Sequence, residues 1–391
     1  MKFSIIIITL CIVASPIIGV LAPRAFSFIP AALGLITCIE YLFNYKKFIK
    51  INWLLLGAFI AFLTLAITSS LWAINSDSVF DRVTKLAILI IPSLFLLFTA
   101  RSVEIINFKY LCFLPHSLII ASILLLIDTY FNYPIYHLTH GLSASEIVAP
   151  ASLNWSLVII SFLLWPTLYQ LWIKKNKTHM AIVLIAVSSA IFSAMSQSAI
   201  IALILGGITL FSSIKKPKIV LYTISYTVII GIFFSPWIAQ LLFNHPPEIF
   251  LNWKSASAAQ RIELWDFVAR KALESPWYGF GIEATRHIND FDSAKLFYST
   301  TNIIHPHNFA LQLWIELGIL GATSAATFIY LCLKNILTFN KKQLPFITAC
   351  FTAMVAVNLV GYGVWQGWLI GLEFMVILIF IALTRQCEKK I

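Results

Sequence analysis

His305-Pro306-His307-Asn308, followed at 309–321 by FALQLWIELGILG, marks the point where a polar excursion of about sixty residues ends and an apolar helix begins. His307 therefore stands at the mouth of a membrane helix rather than in its middle. Imidazole is the side chain whose ordinary pKa lets it give and take protons near neutrality. The remainder of the chain reads as a scaffold around this position.

The 391 residues are 60% hydrophobic and 11% charged, whereas soluble domains carry charge at roughly 25% of positions. A hydrocarbon core ~30 Å thick takes roughly 20 apolar residues per helix, and such runs recur nearly end to end. The expected fold is an all-α polytopic membrane protein. Spans are expected at 3–22, 26–44, 52–73, 84–100, 110–131, 151–173, 179–195, 198–213, 219–242, 308–334, 344–363 and 366–384, twelve in all. Three regions follow: 1–242 with nine spans, a loop domain at 243–306, and 307–391 with three spans and a tail. The opening apolar run after Lys2 lacks a cleavage signal leading into a soluble domain, and reads as the first span.

With the N-terminus inside, 18 of the 27 Lys and Arg fall on the cytoplasmic side. They include Lys46, Lys47, Lys50, Arg101, Lys109, Lys174, Lys175, Lys177, Lys215, Lys216, Lys218, Lys334, Lys341, Lys342, Arg385, Lys389 and Lys390. That bias orients membrane proteins, and it accounts for the net charge of +11 without a nucleic-acid partner. The six cysteines lie in apolar spans or the tail, with no CxxC or His-Cys spacing, so disulfide and zinc frameworks are not expected.

Several outward-facing stretches carry polar candidates. LWAINSDSVFDRVTK ends in Arg82 and Lys85 just as the fourth helix starts. Basic residues there read either as interfacial snorkelling or as a clamp for an anionic lipid headgroup. NYPIYHLTHGLSASEIVAP holds His137, His140 and Glu146; without a third ligand at helical spacing it reads as a surface loop before a metal site. Ser196-Gln197-Ser198 breaks two short apolar runs. In the large excursion, Ser257 to Gln260 has capping-box spacing and opens the amphipathic helix QRIELWDFVARKALE, closed by Ser275-Pro276. WYGFGIEATR then supplies a Gly-rich turn. Arg261 and Arg286 are candidate anion contacts, since a guanidinium can grip two phosphate oxygens; salt bridges to Glu263, Glu283 or Asp290 are the plainer reading. Glu316, Glu373, Glu40 and Asp128 lie in or near spans, where acids are paired and often functional. Glu316 reads as a structural hydrogen-bonding residue.

His307-Asn308, nine residues, then Gly318-Ile319-Leu320-Gly321 resembles the His-[Asn/Ser/Gln]-x9-Gly-x-x-Gly signature of the O-antigen ligases. Arg261-Ile262-Glu263-Leu264-Trp265 and Pro276-Trp277-Tyr278-Gly279-Phe280-Gly281 are similar to the R-x-x-L/I-W and P-L-x-G-x-G elements of the same superfamily, which also holds O-antigen polymerases and protein O-oligosaccharyltransferases. The resemblance implies a GT-C-type, inverting, metal-independent glycosyltransferase without a cofactor. It implies a glycan donor on undecaprenyl diphosphate, a lipid A-core acceptor, and a periplasm-facing site in the bacterial inner membrane among its lipids. His307 takes the family's general-base role and Arg261 a diphosphate-holding role. Where many members have a Ser-Arg element after the seventh helix, this chain has Gln197, so either Arg82, Lys85 or Arg286 supplies the missing charge or the donor is held differently. Asn308 is expected at the substrate, and His305 in support of His307. Polymerase and protein-glycosylating activity are the alternatives within the superfamily. A lipid or sugar transporter is the alternative outside it.

Overall fold

The computed structural model describes residues 2–44, 49–247, 257–288 and 304–388. Among them are fourteen α-helices and no strand. In chain order these are α1 (Lys2–Leu21), α2 (Ile29–Asn44), α3 (Trp53–Thr68), α4 (Ser76–Ser102), α5 (Leu114–Tyr130), α6 (Pro134–His140), α7 (Asn154–Ile173), α8 (Lys177–Ser193), α9 (Gln197–Ser213), α10 (Pro217–Asn244), α11 (Ser257–Glu274), α12 (Phe309–Ile336), α13 (Leu344–Val360) and α14 (Gly367–Glu388). Among the described residues, eight helical segments are long and apolar enough to cross a membrane, and four shorter apolar helices (α2, α8, α9 and α13) fall at the other expected spans. The chain is an all-α polytopic membrane protein.

The helices pack around two apolar cores. One centres on α7, whose residues from Ser156 to Leu171 are all buried, with α1, α5, α8, α9, α13 and α14 around it. The other joins α4, α10, α11 and α12. Amphipathic α11 begins at Ser257 and ends just before Ser275-Pro276, as its sequence predicts, and it lies against α10 and α12. Its inner face is Leu264, Val268, Ala269 and Ala272, none of them exposed at all.

Two loops are more helical than expected. The fourth helix starts at Ser76, not near 84, because Asn75 caps it by accepting from the Ser78 amide at 2.9 Å; an Asx cap can extend a helix into polar sequence. Arg82 and Lys85 therefore sit within α4 rather than at its entrance. Residues 132–150 contain α6, capped from outside by Asp128, whose carboxylate accepts from Ile135 N at 2.7 Å and Tyr136 N at 3.2 Å. His137 bonds the Glu146 carbonyl at 3.0 Å, and Glu146 accepts from Ser143 N at 2.8 Å. Lys46, Lys47, Asp290, Lys389, Lys390 and the loop parts 248–256 and 289–303 lie outside the described residues.

Candidate active site

The helix that His307 opens is broken. Gly318 has φ 60° and ψ −145°, a conformation suited to glycine, and it divides α12 into two pieces. Such a break frees backbone groups that must find partners away from water, and the loop 276–281 supplies them. Phe280 N donates to Ile315 O at 2.9 Å, Gly281 N to Glu316 O at 2.8 Å, and Ile319 N to Pro276 O at 2.8 Å. The fit leaves no room for side chains. A Cβ on Gly279 would lie 2.4 Å from the Glu316 carbonyl carbon, and one on Gly318 would lie 2.6 Å from Pro276 O. The two glycine motifs are thus the two halves of one docking joint.

Glu316, wholly buried just before the break, gathers the surrounding loops. Its carboxylate accepts from Gln312 Nε2 at 3.0 Å and from Trp365 Nε1 at 2.6 Å, and also from the main-chain N–H of Glu283. Gln312 Oε1 in turn accepts from Val364 N at 2.9 Å. Residues 361–366 between α13 and α14 are thereby fixed onto the first half of α12.

That short loop orients both histidines. His307 adopts φ 54°, and its Nδ1–H donates to Gly361 O at 2.7 Å. Bonding to a carbonyl places the proton on Nδ1 and leaves Nε2 as the basic nitrogen. Burial, with the Arg261 charge adding to it, lowers the pKa of His307, so the imidazole is neutral at neutral pH. His305 lies beside it, ring centroids 4.2 Å apart, and its Nε2 meets the Gln366 amide at 3.2 Å. Burial first, then the His307 and Arg286 charges, hold His305 down at about 3. From α11, Trp265 Nε1 donates to Pro306 O at 2.8 Å, which pins the turn carrying His307.

Arg261, also on α11, reaches Gln197 Oε1 at the start of α9 at 3.5 Å. Burial lowers its pKa from the ordinary guanidinium value, and neighbouring Tyr362 opposes that; it remains a cation at any working pH. Tyr362, 7% exposed, is hydrogen-bonded to Ser198, and burial keeps its phenol protonated. Behind this group, Glu283 takes ion-pair contacts from both Arg82 and Arg286.

Comparison with known proteins bears on the same stretch. Residues 180–326 match the family model described as "O-Antigen ligase", a span that holds Gln197, Arg261, His307 and both glycine motifs. Over this stretch the chain is similar to the O-antigen ligase family. Relatives, each described as "Putative polysaccharide ligase", are 26% identical in Rickettsia conorii over 58% of this chain and 56% of theirs, 26% in Rickettsia typhi over 79% and 75%, and 26% in Rickettsia prowazekii over 77% and 73%. The Rickettsia conorii alignment thus spans little more than half of that relative. No solved structure matches the chain.

Within this site, the candidates from sequence divide. His307, Arg261, Gln197 and His305 form one cluster. Arg82 and Arg286 stand beside it but share the Glu283 carboxylate, and Arg82 Nη1 also donates to Trp365 O at 3.1 Å. Lys85 pairs with Asp81 at 2.7 Å, with 64% of its side chain exposed. Asn308 is 9% exposed, and its Oδ1 caps α12 by accepting from Ala310 N at 3.0 Å and Leu311 N at 3.1 Å. Sequence reasoning missed the 361–366 loop, with Gly361, Tyr362, Trp365 and Gln366. The signal was Gly361-Tyr362-Gly363-Val364-Trp365-Gln366-Gly367, three glycines and a Gln crowded between two apolar runs.

Proposed function

We propose that the chain is an inverting glycosyltransferase that moves a glycan from undecaprenyl diphosphate to a hydroxyl of lipid A-core, at the periplasmic face of the bacterial inner membrane. The observation that carries the reading is His307, fixed by Gly361 so that Nε2 is the free base, within reach of the Arg261 charge. In the reaction, Nε2 takes the proton of the acceptor hydroxyl as its oxygen attacks the anomeric carbon. The bond from that carbon to the diphosphate oxygen breaks, and the electron pair leaves with the diphosphate. One displacement inverts the anomeric centre. Arg261 balances the charge that develops on the leaving group, and Gln197 adds hydrogen bonding; such fixed donors act as electrostatic preorganisation. Arg286, half-exposed while its partner Glu283 is buried, and Arg82 beyond it add positive potential. Lys85 and Asn308 contribute at the rim, Lys85 toward lipid headgroups and Asn308 by holding the helix end. Base catalysis of this kind is worth ~10²–10⁴-fold.

The test is transfer in vitro, with purified protein, undecaprenyl-diphosphate-linked glycan and lipid A-core. His307→Ala and Arg261→Ala should each lose transfer by at least ~10²-fold while staying folded. Lengthening of the lipid-linked glycan without transfer to the core would make the protein a polymerase. Full activity in His307→Ala would overturn the reading.

A further inference from the structure

Arg24 is an exposed cation whose place the reaction above does not use. It sits on a short 3-10 turn, Pro23–Ser27, between α1 and α2. The turn is firmly anchored: Phe26 is wholly buried, its carbonyl packs where a Cβ on Gly371 would lie 1.8 Å away, and Ser27 abuts Gly367. The Arg24 guanidinium lies over the Trp155 ring at 5.5 Å, and no carboxylate among the described residues pairs with it.

Trp155 opens a continuous path to the histidines. It stacks on Trp368 at 5.1 Å, with ring planes 15° apart. Trp368 Nε1 donates to Gln366 Oε1 at 2.6 Å, and Gln366 meets His305 at 3.2 Å. Trp368 also packs edge-on against Tyr362 at 5.0 Å, the residue beside Arg261. Arg24 and Arg261 are therefore separate cations with an aromatic row between them. A guanidinium held over an indole face keeps its fork available for a planar or tetrahedral oxyanion.

We infer that Arg24, supported by Trp155, binds a phosphate group on the acceptor saccharide and so aligns that acceptor across the Trp155–Trp368–Gln366 surface toward His307. The inference rests on the glycosyl-transfer reading for its substrate, while the anion site itself can be tested by binding alone.

The experiment uses full-length protein in nanodiscs of phosphatidylcholine, with lipid A-core bearing its core phosphates or the same material after phosphatase treatment. For wild type, dephosphorylation should raise the acceptor KM about tenfold, as expected for loss of a charge-assisted contact. Arg24→Gln should show that raised KM already and be insensitive to the phosphatase, with kcat and donor KM unchanged. Arg24→Lys should recover part of the affinity. An Arg24→Gln protein that still discriminates the two acceptors, or that loses the same affinity for both, would overturn the inference. So would a wild-type preference that vanishes when phosphatidylglycerol is added, because the occupant would then be a lipid headgroup. Tryptophan fluorescence titration of His307→Ala with both acceptors separates the two readings. Phosphate-dependent binding without any transfer by wild type would sink the proposed reaction and leave the anion site standing; phosphate-independent binding would sink the site.

Discussion

Helices α7 and α12 are both long and apolar, yet they handle their polar groups in opposite ways. In α7 three polar side chains bond to main-chain carbonyls inside the bundle, while Trp165 Nε1 and Gln170 Oε1 are buried without a partner among the described residues. Ser161 Oγ returns to Val158 O at 2.8 Å, Thr167 Oγ1 to Leu163 O at 2.7 Å, and Gln170 Nε2 reaches Leu111 O at 2.7 Å. Helix α12 instead opens its backbone at Gly318 and accepts three hydrogen bonds from, or gives them to, the 276–281 loop. Its Gln312 and Glu316 then tie down a second loop. Irregular backbone in a membrane protein survives where protein surrounds it. Here that protein is the scaffold of the candidate site, so one helix stores stability and the other positions chemistry.

Substitutions should separate these roles. The largest effect is expected at the joint. Gly318→Ala forces a Cβ into a left-handed backbone and against Pro276 O, and should lower stability by about 3 kcal/mol or more. Thermal unfolding in detergent measures it, and a near-wild-type midpoint would show that the break is not a fixed feature. Next comes Glu316→Gln, which puts a donor where three N–H groups now converge. Transfer kcat should fall about tenfold with acceptor KM unchanged, because the 361–366 loop moves and His307 with it. A smaller effect belongs to His305. Its folded pKa, about 3, is below the unfolded value of ~6.5, so between these the unfolded chain binds more protons. Stability should decline as pH falls from ~6.5 toward about 3, and His305→Gln should flatten that decline. Melting curves across this range decide it. Least of all, Thr167→Val in α7 removes a bond internal to one helix, and should change stability by less than ~1 kcal/mol and leave transfer unaltered.

Much of this arrangement is legible in the sequence, for identifiable reasons. Apolar length marks the helices, and Ser257 and Ser275-Pro276 bracket α11. The His307 and Gly318-x-x-Gly321 spacing marks the candidate site. Position 318 is visible in the sequence as part of the Gly-x-x-Gly spacing; that it interrupts the helix depends on the partner loop at 276–281, which local pattern does not reveal. The start of α4 was obscured because Asn75 and the Ser-Asp-Ser segment look like loop composition, although one side-chain cap turns them helical. A salt bridge is the plainer reading of Arg286 from sequence, and the structure supplies it at buried Glu283, which also takes Arg82, a residue the sequence reads as snorkelling or clamping a lipid headgroup. Glu283 itself was named only as one possible salt-bridge partner among three, since nothing in the sequence shows that a residue at φ 66° will face two arginines. The 361–366 loop is too short to separate from the two spans that flank it, and its contacts to α12 and His307 are non-local.

The most direct test of the account is the pH dependence of kcat/KM for transfer, in wild type and in His307→Ala. The acid limb of the wild-type profile reports the free enzyme's base. Burial and Arg261 lower the His307 pKa, so activity should rise with pH through a midpoint below the ordinary imidazole value of ~6.5, and the residual rate of the variant should lack that limb. A midpoint at or above ~6.5, or the same limb in His307→Ala, would contradict the assignment of His307 as the neutral base of the site.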